Sequence, residues 1–467
     1  MFRKTIIFFC AVAAMMLASC IEDGVSTNPS EQPTFSVDTL KMGDIFTAES
    51  TPTSRFIVYN RYNKIMSIET ITLRESDKGI FRLNVDGISA KSFSNVEIRP
   101  NDSIFVFVEA LVPENGKVEP VTVDGHLDFK THGTVKTVVI NAVSQDVTRL
   151  RAAKIDKNTH FTAGKPYQIF DSLVVAEGVT LTVDAGAKVL FHDAAYMKVY
   201  GTLQCKGTAE NPVNFTGDRT GFVAADIPYE IMSGQWDGIF FAPTSKGNRF
   251  EFTSVRNMDT GIVLDNVEAS PAVVFVASQV HNSAGVTLVS LHSDVEAYAT
   301  EFSDAALGVM CLYGGKHVLN HCTLANYYLF SAISGAALQF THLNADSDDE
   351  SGKPYLSADI SNCIIYGYGS ELSHGDLTGT NVTIRSTLFK TKGEDDDNFI
   401  NCLWDADPLY YTVREDYYFD YRLKPESAAI GKADASFTRD LSKKDRYGNT
   451  QPAQPDLGAY VFVAPKE

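Results

Sequence analysis

Two rhythms of apolar and polar positions divide this chain. Between residues 35 and 147, short alternating runs recur: Arg55-Phe56-Ile57-Val58-Tyr59, Ile68-Glu69-Thr70-Ile71-Thr72-Leu73, Ile104-Phe105-Val106-Phe107-Val108, Val121-Thr122-Val123 and Thr137-Val138-Val139-Ile140. Turn signals Pro100-Asn101-Asp102 and Asp124-Gly125 separate them. Successive strand side chains point to opposite faces, so this pattern predicts a β-sandwich with no helix. From Leu173 the runs shorten: Leu181-Thr182-Val183, Lys188-Val189-Leu190-Phe191, Met197-Lys198-Val199 and Val213-Asn214-Phe215, with glycines between. Strands so short cannot make ordinary hairpins. They suit a solenoid that bends after each one, with Gly178, Gly186 and Gly201 expected at the corners.

A register follows from residue 253 onward. Thr253-Ser254-Val255-Arg256-Asn257, Ser278-Gln279-Val280-His281-Asn282, Thr300-Glu301-Phe302-Ser303-Asp304 and Cys322-Thr323-Leu324-Ala325-Asn326 align, followed by Cys363-Ile364-Ile365 and Ser386-Thr387-Leu388. The central apolar residues step by 25, 22, 22, 41 and 23 positions, the step of 41 being one turn plus an insertion. A period near 22 marks stacked coils. The first column is small; the last holds Asn257, Asn282, Asp304 and Asn326. Together these columns resemble the right-handed parallel β-helix (pectate-lyase-like) superfamily over residues 154–405. That resemblance implies an asparagine ladder, each side chain bonding its neighbours and the bent turn backbone.

The N-terminus adds a location. Arg3 and Lys4 precede the apolar run Ile6 to Leu17, twelve residues that are too few to span a bilayer as a helix. Leu17-Ala18-Ser19-Cys20 resembles the lipobox of bacterial lipoproteins, which implies a signal peptide over 1–19 and lipidation of Cys20. Ile21-Glu22-Asp23 is similar to the export signal of Bacteroidetes surface lipoproteins, and 20–34 reads as a flexible tether. An outer-membrane protein is thus expected, facing the exterior and held by its lipid alone. Of seven cysteines, Cys10 and Cys20 belong to this leader; the other five form no close pair and are expected as buried free thiols.

Two further resemblances refine the ends. Phe56-Ile57-Val58-Tyr59-Asn60, the Ile68 to Leu73 strand and Ile98-Arg99-Pro100-Asn101-Asp102-Ser103 resemble the Hydin-type immunoglobulin-like domain. This implies a spacer or interaction module over 35–147. Asp407-Pro408-Leu409-Tyr410, Tyr421-Arg422-Leu423 and Asp445-Arg446-Tyr447-Gly448-Asn449 resemble the choice-of-anchor segment that closes bacterial surface β-helices. A C-terminal cap is therefore expected over 406–467, blunting the last unpaired coil. The predicted fold is all-β: an immunoglobulin-like β-sandwich, then a right-handed parallel β-helix with its cap.

Candidate chemistry is sparse. Forty Lys and Arg against 58 Asp and Glu give a net charge of −18, which disfavours nucleic acid and other polyanions. Aligning Gly261, Gly285 and Gly308 puts Val263, Thr287 and Met310 on an outward face, which offers neither a carboxylate pair for a hydrolase nor a base for a lyase. Asp346, Asp348 and Glu350 loosely resemble a Ca²⁺ loop without its closing Glu. Cys311, His317, His321 and Cys322 are weak Zn²⁺ candidates because Cys322 belongs to the inward column. No catalytic residue and no cofactor is assigned. The expectation is a monomeric surface lipoprotein whose rigid coil binds a polysaccharide or a surface protein; the alternatives are a polysaccharide lyase or glycoside hydrolase, or a structural adhesin.

Overall fold

The computed structural model describes residues 24–74, 78–224, 227–341 and 355–465. The leader with Cys20 and the segment carrying Asp346, Asp348 and Glu350 lie outside them. The chain divides into two compact units, Met1–Asp146 and Val147–Glu467.

The first unit is two five-stranded sheets. One, fully antiparallel, orders Thr34–Phe35, Ser54–Tyr59, Ser103–Ala110, Phe81–Val85 and Ile88–Ala90. The other orders Thr39–Phe46, Thr134–Gln145, Val121–Thr131, Met66–Leu73 and Ser92–Ile98, with its first pair parallel. Alternation drives their closure: Phe56, Val58, Val106 and Val108 face Ile68, Ile71, Phe129 and Ile140 in one buried cluster. Asn60 closes a turn from inside, donating to the carbonyls of Lys64, Ile98 and Arg99 at 2.7–3.0 Å. The segment expected as a free tether over 20–34 is instead docked from Val25 onward. Val25 pairs with Ile65, and Ser26 is buried, its N–H 2.8 Å from the Ile65 carbonyl.

The second unit is a parallel β-helix whose coils begin at Thr148–Ile155. Three faces stack rung upon rung. The first runs through Lys188–Phe191, Val213–Gly217, Thr253–Asp265, Gln279–Ser283, Glu301–Ala305, Thr323–Asn326, Ile364–Gly367 and Leu388–Phe389. Long strands such as Thr253–Asp265 bend onto the second face, which continues through Leu288–Leu291, Met310–Tyr313 and Leu338–Thr341. The third is a ten-stranded sheet from Thr159–Phe161 to Phe399–Ile400. Val255, Val280, Phe302, Leu324, Ile365 and Phe389 form one fully buried column inside. The sequence register thus holds from 255 to 365, across the step of 41, and then slips: Ile365 pairs with Phe389, not Leu388.

The corners explain the small column. Phe252, Ala277, Ala299, His321, Asn362 and Ser386 all take left-handed backbone, with φ from +44° to +58°. Each next side chain then donates back to a carbonyl two residues earlier: Thr253 to Glu251, Ser278 to Val276, Thr300 to Tyr298, Cys322 to Asn320, Cys363 to Ser361 and Thr387 to Arg385. Only a short side chain with a hydroxyl or thiol can do this inside a narrow coil. Cys205, Cys322 and Cys363 are buried free thiols, whereas Cys311 and Cys402 are partly exposed. Gly178 and Gly186 supply positive φ, at +73° and +79°. Gly201 differs from the expectation: a Cβ there would sit 2.2 Å from the Val179 carbonyl oxygen, so close backbone approach is its reason.

The C-terminal segment is not an end plug. Its hairpin, Tyr410–Val413 with Phe419–Leu423, and the turns after it lie along the first face of the coil. Tyr410, Tyr421, Leu423, Ala459 and Tyr460 pack with Ala325, Tyr327, Ile364 and Leu388. Residues 391–405 close the coil's end instead, where Trp404 stacks on Phe389 at 4.8 Å and meets Phe399 at 5.5 Å. Glu394-Asp395-Asp396-Asp397, a solvated acidic turn by its sequence, builds that closure. Asp395 accepts the Asn401 and Cys402 N–H groups and the Trp404 indole; Asp396 accepts those of Asn398 and Phe399.

Candidate functional site

The outward column drawn from Val263, Thr287 and Met310 is corrected by the structure. Val263 pairs with Val289, and Val289 with Cys311; Met310 pairs with Leu288 in the core, and Thr287 is buried, bonding the Val309 carbonyl. Turn lengths differ between rungs, so Gly285 and Gly308 do not align with Gly261. Gly261 sits opposite Thr287, where an added Cβ would lie 1.8 Å from the Val286 carbonyl oxygen.

The asparagine column lies where the chain leaves the first face. Asn257, Asn282 and Asp304 take φ of +69°, +64° and +55°, and all four members are buried. Their side chains do not bond one another. Asn257 donates to the Glu230 and Met232 carbonyls, and Asn282 to that of Ile231, because residues 229–232 fold over this corner. Asn326 exchanges bonds with the Ala305 backbone. Asp304 belongs to a sealed hydrogen-bonded network: His281 Nδ1 lies 3.1 Å from its carboxylate and 2.9 Å from Ser303 Oγ, which donates to Glu301 at 2.5 Å. Tyr421 donates to Asp304 at 2.6 Å, and Tyr460 to Glu301. Burial and the adjacent carboxylates hold both phenols well above their usual range, so both remain donors. A carboxylate pair and a histidine therefore exist on the first face, at 2–8% exposure beneath the C-terminal segment. They tie; they do not meet solvent.

An open pair lies at another corner. His192 Nδ1 is 2.8 Å from Asp218, whose carboxylate is buried and also accepts the Gln168 amide at 2.9 Å. Phe170 sits under the imidazole at 4.6 Å, and Arg151 over Phe170 at 4.5 Å. A buried carboxylate orients an imidazole whose side chain is 44% exposed. His317 and His321 face interior partners, the Gly314 carbonyl and Thr438, and Cys322 lies inside the coil. Among the described residues no three His, Cys, Asp or Glu side chains are grouped to hold a metal.

A second open arrangement lies on the C-terminal segment. In the hairpin, alternation sends Tyr410, Tyr421 and Leu423 inward and leaves Tyr411 and Arg422 outward. Asp420 fixes Arg422 through paired contacts, Nε to Oδ1 at 2.9 Å and Nη2 to Oδ2 at 2.5 Å. Opposite stands Tyr447, on a turn organised by the buried Asp445. That carboxylate accepts the Tyr447 and Asn449 N–H groups, each at 2.9 Å. Arg422 lies 5.6 Å from the Tyr411 ring and 5.3 Å from that of Tyr447. Tyr411, Arg422, Leu423, Tyr447, Asn449, Val461 and Val463 line a cleft of about 260 Å³. This is below the roughly 300–1,000 Å³ of drug-sized clefts, and suits one ring of a ligand. Two aromatic faces offer stacking, and the guanidinium and Asn449 offer hydrogen bonds. Arg422, Leu423, Tyr447 and Asn449 lie within the anchor-like motifs of the sequence, yet their convergence was not legible there, because 411, 422 and 447 meet only once the segment folds back.

No family model matches the chain, and no curated protein matches it. Among solved structures, the chain is similar to a family 123 glycoside hydrolase from Clostridium perfringens, described for glycolipid glycan hydrolysis. The identity is 8% over 24% of this chain and 23% of that one, with a TM-score of 0.18. It is also similar to the catalytic domain of a GH87 α-1,3-glucanase in complex with nigerose, at 9% identity over 76% of this chain and 88% of that one, with a TM-score of 0.16.

Proposed function

We propose that this chain is a lipid-anchored outer-membrane protein, displayed on the cell exterior, that holds a neutral glycan in the Tyr411–Tyr447 cleft without cleaving it. The carrying observation is that cleft: two exposed tyrosine rings flank a guanidinium locked by Asp420. Because Asp420 offsets the charge of Arg422, the cleft presents oriented N–H groups rather than a free cation. A chain of net charge −18 also slows encounter with anionic polymers. The lipid on Cys20 supplies the membrane attachment; no helix of the described residues is long and apolar enough to cross a bilayer.

The test is a panel of neutral polysaccharides (glucans, mannan, xylan), with retention and new reducing ends both measured. Wild-type protein should be retained on at least one, and Tyr447→Ala and Arg422→Ala should each weaken retention about tenfold, ~1.4 kcal/mol. Tyr447 is 51% exposed, so its truncation leaves the fold intact. Retention that ignores both substitutions would refute this cleft. New reducing ends abolished by His192→Ala would favour the hydrolase or lyase reading, whose specific support is the open His192–Asp218 pair. In the cell, Cys20→Ala should move the protein out of the membrane fraction. Undiminished fatty-acid labelling of that variant would refute the anchor.

A further inference from the structure

We infer that the edge of the sandwich carries a second and separate binding site, for an apolar group bearing one carboxylate. Strand Phe81–Val85 pairs along its whole length with Ser103–Ala110 on one side. On its other side the short strand Ile88–Ala90 covers only Leu83, Asn84 and Val85. Beyond Ala90 the edge at Phe81 and Arg82 is open, and around that edge lies a cavity of about 790 Å³. Its volume falls within the range of small-molecule sites.

The walls define the ligand. Leu73, from one sheet, and Phe81 and Leu83, from the other, are 3–8% exposed and give the inner side an apolar wall, while Phe107 lines the outward side with Arg82 and Glu109. Arg82 and Lys91 stand among the lining groups; Arg82 is across the strand pair from Glu109, and neither cation is within ion-pair distance of a carboxylate among the described residues. Glu109, the acidic group of the lining, already accepts the Thr53 hydroxyl at 2.8 Å. Asn84 is likewise committed, bonding Ser89 and the Gly87 N–H and so holding the hairpin that forms the outer lip. The local charge is therefore positive in a chain with 58 acidic and 40 basic residues. An apolar wall with two cations against one carboxylate recognises an amphipathic anion: the apolar part leaves water, and the carboxylate meets Arg82 and Lys91. A fatty acid and a peptide ending in apolar residues share this chemistry.

Isothermal titration of the whole chain with dodecanoate, with acetyl-Leu-Phe and with the neutral dodecanol tests the site. At least one of the two carboxylates should bind saturably at one per chain, and which of them binds identifies the source. The exposed pair Arg82→Gln/Lys91→Gln should weaken that carboxylate about tenfold or more while leaving dodecanol unchanged. Ala90→Trp, which fills the mouth from an exposed position, should abolish carboxylate binding. Absence of saturable binding by both carboxylates, binding indifferent to Ala90→Trp, or equal binding by the double variant would each overturn the proposal. The site lies in the first unit and the glycan cleft in the second, so the two readings fail independently.

Discussion

Tyr421→Ala should strip the C-terminal segment from the coil. The ring is 2% exposed, wedged between Tyr327 at 5.9 Å and Tyr410 at 5.0 Å, and its hydroxyl serves the buried Asp304. Truncating a buried aromatic costs about 3–5 kcal/mol. Leaving Asp304 short of a donor adds roughly 1–3 kcal/mol. Tyr421→Phe isolates the second part, since it keeps the ring and removes only the hydroxyl. Limited proteolysis and amide exchange over 407–465 read the outcome directly: protection should collapse in the alanine variant and thin slightly in the phenylalanine variant. Full protection of the segment in Tyr421→Ala would show that the tie is elsewhere.

Acid should loosen the same attachment. His321 is buried at the corner where the segment docks, and burial holds its pKa down to about 4. The Asn362 amide fixes which nitrogen is bare. Its oxygen accepts the Asp434 N–H at 2.8 Å and its nitrogen donates to the Asp434 carbonyl, so that nitrogen, 3.0 Å from His321 Nε2, can only donate. Nε2 is therefore the acceptor, and a proton there would oppose the amide. His317, also near 4 through burial, adds to the effect. A folded pKa below the unfolded value near 6.5 means that the unfolded chain binds more protons. The contribution is complete above about pH 6.5 and is lost as pH falls towards 4, at most roughly 3 kcal/mol per group. Asp456, whose carboxyl burial raises, acts in the opposite sense as pH rises. Melting temperatures of wild type and His321→Asn between pH 7 and 4 isolate the imidazole, since Asn tolerates the +51° φ at that position. The variant should show a shallower slope; identical slopes would remove His321 from the account.

The coil was legible because its inside is monotonous. A small residue, an apolar residue two places on and a turn residue recur on each rung, so Val255 to Ile365 could be placed by counting, even across a long insertion. The slip at Leu388 has a local cause. Ser386 and Thr387 are both small, and nothing in composition says that Ser386 takes the left-handed corner while Thr387 turns inward. The outward face was misplaced for a related reason: glycines mark tight places, and tight places shift along the turn from rung to rung. The ladder expected of Asn257, Asn282, Asp304 and Asn326 turned into separate tasks because segments distant in sequence, 229–232 and Tyr421, arrive to claim their bonds. Such partners leave no local trace. The cleft of Tyr411, Arg422 and Tyr447 was invisible on the same ground.

The route of the C-terminal segment bears on how this molecule takes load. A stack of rungs joined only to neighbours can open one coil at a time, like a zip fastener. Here one strap meets His281 through Phe419, Asp304 through Tyr421, Asn320 through Arg439, Asn362 through Asp434 and Arg385 through Phe437. Pulling any of those rungs away from its neighbour strains bonds made by the strap, so resistance is shared along the stack. Coils that the strap does not touch would yield first under tension. Because the strap follows the rungs along the chain, a nascent chain would hold the rungs without their tie until the strap had emerged.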